Sequence, residues 1–351
     1  MDYWTKRAER TNSIADSTVD SLKTRFTRLY TDLQDEIEKE VEAFIGRFAK
    51  EGNMSVADAK VLLNVSEIKT FRRELDRYER FVKELSKDSN GTITQDVLST
   101  YLKKLNTLST RVSISRLEAL KVSLEQYAMK TGVAQDNLFL TTVPSATEDV
   151  YNYVNYDLDL EVGFSSGLNP IQLDTLFKQR WMDGSFSTRI WKDKENLVNN
   201  LERTLIQGIA MGHNPKVIAK DLERNLRTSY NVCERLARTE VLHYFNEATA
   251  EAYKQHKVEE YMFLASLDER TCPICGGLDG KVFKMNERQE GVNYPVIHPN
   301  CRCSTRAYYR EYEESGAISK STRVARNRGG KTYSVPSDMT YQEWKKLVKL
   351  G

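Results

Sequence analysis

Proline is scarce in this 351-residue chain: there are seven, and none precedes Pro144. A first third free of proline can run as long, uninterrupted helices. No apolar run approaches the roughly 18 residues that a membrane-spanning helix needs, so no span is expected. The opening residues, MDYWTKRAERTNSIADST, lack the apolar core of an export signal, so secretion is not expected either. Charge of one sign is also missing, with 52 Lys and Arg against 50 Asp and Glu, a formal +2. That balance argues against a protein that coats nucleic acid over its whole surface, and leaves room for local patches. Cysteines number five and histidines four. An odd, clustered cysteine set is a poor disulfide framework and points instead to metal or redox chemistry.

What is present is mostly helical periodicity. The length suggests two or three domains. Val19, Leu22, Phe26, Leu29, Tyr30 and Leu33, continued by Ile37, Val41, Phe44 and Ile45, mark one long amphipathic helix ended by Gly52. Ser55 and Asp58 cap a short second helix, and a third starts near Ser66. After a break at SNG (89–91), a very long helix or bent pair runs to a stop at Gly132. Residues 1–132 therefore read as a long-helix arm or bundle. Residues 133–195 read as a connecting region. LFLTTV is a candidate strand, Ser145–Glu148 a capping box before another helix, and Asn169–Pro170 and Asp183–Gly184 are turns. Helices return over 196–257. Leu197, Leu201, Leu205 and Ile209 share one face, MGHNP ends that helix, and Pro215 opens the next. A third helix covers SYNVCERLARTEVLHYFNEATAEAYKQH, and VEEYMFLAS is then a strand. Residues 313–351 read as a basic linker and a short amphipathic helix. That helix has a Thr340–Glu343 capping box and a face of Tyr341, Trp344, Leu347 and Val348, which must dock on something.

Four of the cysteines and one histidine fall in two stretches, LDERTCPICGGLDGKVF (267–283) and PVIHPNCRCST (295–305). A Cys-x2-Cys turn lets two thiolates reach one ion at about 2.3 Å each, and His-x2-Cys-x-Cys can supply the rest. Cys272, Cys275, His298 and Cys301 are the preferred ligands of one structural Zn²⁺, with Cys303 competing for the last place. Gly276 and Gly277 permit the turn, LDGKVF reads as turn plus strand in a small metal-stapled hairpin, and Pro295 and Pro299 stiffen the return. A redox role lacks the strand-to-helix setting it needs. A catalytic zinc would need an open position, and five soft donors leave little reason for one. Isolated Cys233 reads as a small core residue.

The helix LARTEVLHYFNEA carries Arg238, Glu240, His243 and Asn246 beside an apolar face. As a working trio, Arg238, Glu240 and Asn246 would make an active site. As a hydrogen-bond network, they would hold the helix to the metal hairpin, and this second reading is preferred. The basic stretch KSTRVARNRGGK offers Lys320, Arg323, Arg326, Arg328 and Lys331 as contacts to phosphate, or as a solvated linker.

Taken in order, ARTEVLHYFNEATAEAY, DERTCPICGGLDGKVF and HPNCRC resemble the phage Mu F-like minor head protein, or head morphogenesis, family of phages of Gram-positive hosts. WMDGSFSTRIW, LIQGIAMGHNPKVIAKDL and the tail KTYSVPSDMTYQEW extend the resemblance over about 175–345. The motif positions are Arg238, Thr239, Glu240, Asn246, Asp268, Thr271, Cys272, Cys275, Asp279, Gly280, His298, Pro299, Cys301, Arg302 and Cys303. The resemblance implies a non-enzymatic minor capsid protein associated with the portal vertex. It would assist head morphogenesis and DNA packaging or ejection. Portal protein, major capsid or scaffolding protein and double-stranded DNA are the implied partners. The implied location is the capsid interior or portal vertex, with the host cytoplasm during assembly. The fold expected is mainly α with a small α+β part: a long helical N-terminal arm or bundle, and a Mu F-like domain over 196–312 containing the hairpin. Two other classes compete. A metal-dependent nuclease or nucleotide-sugar transferase using Arg238 and Glu240 predicts a cleft beside Glu240. A zinc-ribbon DNA-binding regulator predicts exposed base-reading side chains. Buried and paired motif residues would favour the scaffold.

Overall fold

The computed structural model describes residues 3–49, 60–88, 95–111, 113–162, 175–177, 184–213, 215–311, 322–327, 329 and 331–350. The expected stop at Gly52, the Ser55–Asp58 cap, the break at 89–91, the Asn169–Pro170 turn and Asp183 lie outside them. The described residues are mostly helical, with two small antiparallel sheets. The chain divides into two compact units. Unit 1 comprises Met1–Leu22, Thr141–Arg180 and Arg235–Gly351, and unit 2 comprises Lys23–Leu140 and Trp181–Glu234.

The helices are α1 (Tyr3–Ala49), α2 (Val65–Asp88), α3 (Gln95–Ser109), α4 (Arg116–Val162), α5 (Phe186–Ala210) and α6 (Pro215–Gln255). The stripe read on α1 is its buried face, from Val19 to Phe44, with Leu29 half-buried. The N-terminus of α2 is closed by a reciprocal pair: Glu67 N–H donates to Asn64 Oδ1 and Asn64 N–H to Glu67 Oε2. Of the two readings of the stretch before Gly132, a very long helix or a pair, the structure has the pair, α3 and α4, separated at 110–115.

Three local readings are corrected. Gly132 does not stop a helix, LFLTTV is not a strand, and Ser145 does not cap a new helix, because α4 runs through all three, with Pro144 inside it. Packing overrides local preference here. At Gly132 the helix passes so close to α5 that a Cβ would lie 3.0 Å from Trp191 and 3.1 Å from Lys194. Phe139 stacks on Phe186 at 3.8 Å. The two helices expected after Pro215 are likewise one. Thr228 and Ser229, where the second was expected to begin, turn their hydroxyls to Arg224 O and to Asp193, and so do not cap a new start.

In unit 2, α2, α3 and α4 bury Leu75, Tyr78, Val82, Leu98, Leu105, Val122 and Met129 together with Trp191 of α5. Among the described residues, the strands all fall in unit 1. β1 (Glu260–Leu264) is the centre of a three-stranded antiparallel sheet, flanked by β2 (Val282–Lys284) and β3 (Ser304–Tyr308). Between β1 and β2 lies the short helix α7 (Pro273–Leu278). The segment read as a basic linker contains instead a strand, β4 (Thr322–Arg326), paired antiparallel with β5 (Thr332–Pro336). In β4, exposed Thr322 and Val324 alternate with buried Arg323 and Ala325, the period-2 signal that the dense charge obscured. The chain closes with α8 (Tyr341–Leu350), capped as expected: Thr340 N–H donates to Glu343 Oε2 and Glu343 N–H to Thr340 Oγ1. Its Tyr341 and Trp344 are buried with Leu267, Ala325 and Val335, whereas Leu347, placed on the same face from sequence, is 57% exposed.

Candidate metal centre

The register of β1 with β3 explains why two distant cysteine pairs meet. Leu264 pairs with Ser304, so the chain leaving β1 and the chain entering β3 run side by side. Just past β1, the Asp268 carboxylate accepts Arg270 N–H at 2.7 Å, and Thr271 Oγ1 donates to Ser266 O at 2.6 Å. That tight turn delivers Cys272 to the N-cap of α7, where its sulfur accepts Cys275 N–H at 3.3 Å and Pro273 takes the first turn. After α7, Gly280 adopts φ +75° and donates its N–H to Phe263 O, a left-handed position that suits glycine. On the return, Ser266 Oγ donates to Arg302 O and Cys301 N–H to His298 O, which sets Cys301, Cys303 and His298 beside the turn.

All five predicted donors come together, in two overlapping groups: Cys272, Cys275 and His298, and Cys275, Cys301 and Cys303. Cys275, Cys301 and Cys303 are buried, while Cys272 and His298 are half-buried. Cys275 Sγ lies 3.9 Å from Cys301 Sγ and 3.4 Å from His298 Nε2. Thiolates about 2.3 Å from a tetrahedral zinc stand about 3.8 Å apart, so the donor set fits that ion. His298 Nδ1–H donates to Pro299 O at 2.8 Å, which leaves the Nε2 lone pair facing the sulfurs. Hydrogen bonding among the thiols favours the charged form at Cys301, through Cys275 and Cys303, and the neutral form at Cys275, through Cys301, and at Cys303, through Cys275 and Cys301. No lysine or arginine side chain donates to these sulfurs among the described residues. Bound zinc would supply a fixed four-way node for the turn and the return.

The motif residues around the centre are paired. Arg238 Nη1 donates to Asp16 at 2.8 Å. Thr239 Oγ1 accepts Asn300 N–H at 3.0 Å, tying α6 to the return segment, and donates to Arg235 O. Glu240 is fully buried. Asn246 Nδ2 donates to Leu242 O, and its carbonyl accepts Tyr294 O–H at 2.7 Å. Burial pushes the Asp268 carboxyl up, but hydrogen bonds from Arg270 and Arg302 outweigh that and hold it well below the usual range. Asp279 accepts from Ala265 N–H, Tyr341 N–H and both terminal nitrogens of Arg323.

Two of the predicted phosphate contacts are therefore spent on carboxylates: Arg323 is buried against Asp279, and Arg326 lies 3.5 Å from Asp16. Their partners are distant in sequence, which is why the stretch looked unopposed. Lys331 is exposed, and Lys320 and Arg328 lie outside the described residues. A cavity of about 660 Å³ borders Asp16, Asp268, Arg302, Arg323 and Arg326.

Sequence reasoning passed over a third donor group, His243, Glu247 and Glu290. The i, i+4 spacing of His243 and Glu247 was its only signal. His243 Nδ1 meets Glu290 at 2.6 Å, and Arg288 grips Glu247 with both terminal nitrogens. This group carries its own cation.

No helix among the described residues is long and apolar enough to cross a membrane. Residues 199–306 match the family model described as Phage Mu protein F like protein. The match runs from within α5 to within β3 and contains all five sulfur and imidazole donors. It is narrower than the 175–345 over which the motifs extend. No curated protein and no solved structure matches the chain.

Proposed function

We propose, from the premise that residues 199–306 are a Mu F-like phage head domain, that this chain is a structural minor capsid protein of a tailed bacteriophage. In this reading it sits at the portal vertex and assists head morphogenesis and DNA packaging or ejection. The portal protein is its main partner, major capsid or scaffolding protein a further one, and one structural zinc closes the cysteine turn.

The observation that carries the reading is the family match over the segment whose motif residues are internal and paired. Glu240 is buried and Arg238 is held by Asp16, which suits a support better than a substrate cleft. Contact with double-stranded DNA, if made through the tail, falls to Lys331 and to Lys320 and Arg328, since Arg323 and Arg326 are engaged. The test is quantitative mass spectrometry of purified virions, with co-purification of tagged portal protein from infected cells. A few copies per virion and recovery with the portal are expected. Absence from both virions and portal complexes would overturn the assignment.

A further inference from the structure

The turn that presents Cys272 and Cys275 has a second face, and the C-terminal segment covers it. Gly276 lies under the ring of Tyr341, so close that a Cβ would sit 2.2 Å from Cδ1. The Tyr341 hydroxyl donates to Thr271 O at 3.0 Å, and Gln342 Nε2 to Gly276 O at 3.4 Å. Asp279, the residue that ends α7, accepts Tyr341 N–H at 2.6 Å and the Arg323 guanidinium of β4. Arg323 also donates to Ala265 O at 2.6 Å, and Arg326 N–H to Leu267 O at 2.8 Å. Trp344 Nε1 donates to Tyr333 O–H at 2.7 Å, so the hairpin and α8 hold each other.

The apolar core beneath this assembly is five buried residues, Leu267, Ala325, Val335, Tyr341 and Trp344. So small a core depends on a correctly shaped platform. That platform is the backbone from Thr271 to Asp279, the stretch whose sulfurs face the metal. Two sets of bonds therefore constrain one short turn from opposite faces.

We infer that β4, β5 and α8 form a latch whose docking is coupled to metal binding at the cysteine turn. The inference rests on the zinc reading above. Zinc in place shapes the turn that Tyr341 and Asp279 grip. Zinc removed, the turn loses its shape and the latch lets go. Coupling is reciprocal, so a docked latch must tighten zinc binding by the same factor by which zinc favours docking.

The test uses the full chain. Zinc content is measured first, by elemental analysis. Hydrogen exchange is then followed by mass spectrometry before and after treatment with a chelator, and again after zinc is restored. Exchange in 332–350 is expected to rise by at least about tenfold on chelation and to recover with zinc, while peptides of 65–88 and 95–109 in unit 2 keep their protection. The converse arm is Tyr341→Ala, with Gly276→Ala as a second variant should the first not fold. Each is expected to start with one zinc per chain and to hold it at least about fivefold more weakly than the parent in equilibrium competition with a colorimetric chelator. Absence of zinc at the first step overturns the metal reading and the latch with it. Zinc present, with tail protection unmoved by its removal, overturns the latch alone. A rise that includes unit 2 equally overturns it as a local device.

Discussion

Each unit buries a knot of polar side chains, and the two knots are balanced differently. In unit 2, Lys194 Nζ donates to Tyr30 O–H at 2.5 Å and to Ser229 and Asp193 at 3.2 Å each. Burial works to strip that ammonium of its proton, but Tyr30, Asp193 and Cys233 outweigh it and raise the pKa above its ordinary value. The neighbouring Cys233 thiol is pushed up to about 12 by burial and accepts from Gln135. Cation, anion and neutral thiol close on themselves. Unit 1 repeats that pattern at Asp279 with Arg323, at Asp268 with Arg302 and at Glu247 with Arg288. The group of four cysteines and His298 differs: it gathers soft donors with no lysine or arginine donating to them among the described residues. A buried cluster of soft donors without its own counter-charge is the observation that supports the proposed zinc.

The comparison is broken most severely by removing a donor from the cluster that lacks a counter-charge. Cys275→Ser takes away the residue common to both donor groups. Structural zinc contributes on the order of 10 kcal/mol to small sites, so loss of metal and unfolding of the turn and tail are expected, read by elemental analysis and circular dichroism. Cys233→Ser, a thiol swap in the balanced knot, is expected to cost below about 2 kcal/mol in a urea titration.

Next come the built-in pairs. Asp279→Ala in unit 1 and Lys194→Ala in unit 2 each leave a buried opposite charge stranded, and each is expected to cost about 3–5 kcal/mol in chemical denaturation. A much smaller loss at Lys194 would show that unit 2's knot is not a closed ion pair.

A smaller effect is set by pH. Asp136 accepts from Ser187 at 2.7 Å, but burial pushes its carboxyl up to about 7. The folded chain therefore holds this proton more tightly than the unfolded chain. The stability it adds is fully present below the unfolded value near 4 and is lost as pH rises to about 7. Asp136→Asn is expected to leave the melting temperature of unit 2 nearly unchanged at pH 4 and to raise it at pH 8. The gain is on the order of 2–4 kcal/mol, seen by calorimetry. The smallest expected effect is Thr340→Ala, which removes the cap of α8 and costs about 1 kcal/mol of unit 1 stability.

What was legible in the sequence follows from range. The stripe of α1 and the capping box at Thr340 are local patterns, and the structure carries both. The cysteine window was legible because its spacing is short on each side of β2. Gly132 read as a stop and Ser145 as a new cap because the contacts that keep α4 helical, such as Trp191 against Gly132, come from an element some 50 residues later. The same distance hid the true role of the basic tail. Arg323 answers Asp279, and Arg326 answers Asp16 at the other end of the chain. The His243–Glu290 pair needed the return loop to bring Glu290 alongside α6. Asp279 was marked only by the family resemblance; that it joins β1, α7, β4 and α8 emerges from four donors that no spacing connects.

The most direct test is the metal content of the purified chain, compared with Cys275→Ser and Cys233→Ser. The account predicts one zinc per chain in the parent and in Cys233→Ser, and none in Cys275→Ser. A parent chain free of zinc, with near-ultraviolet circular dichroism and melting unmoved by chelator, would contradict it.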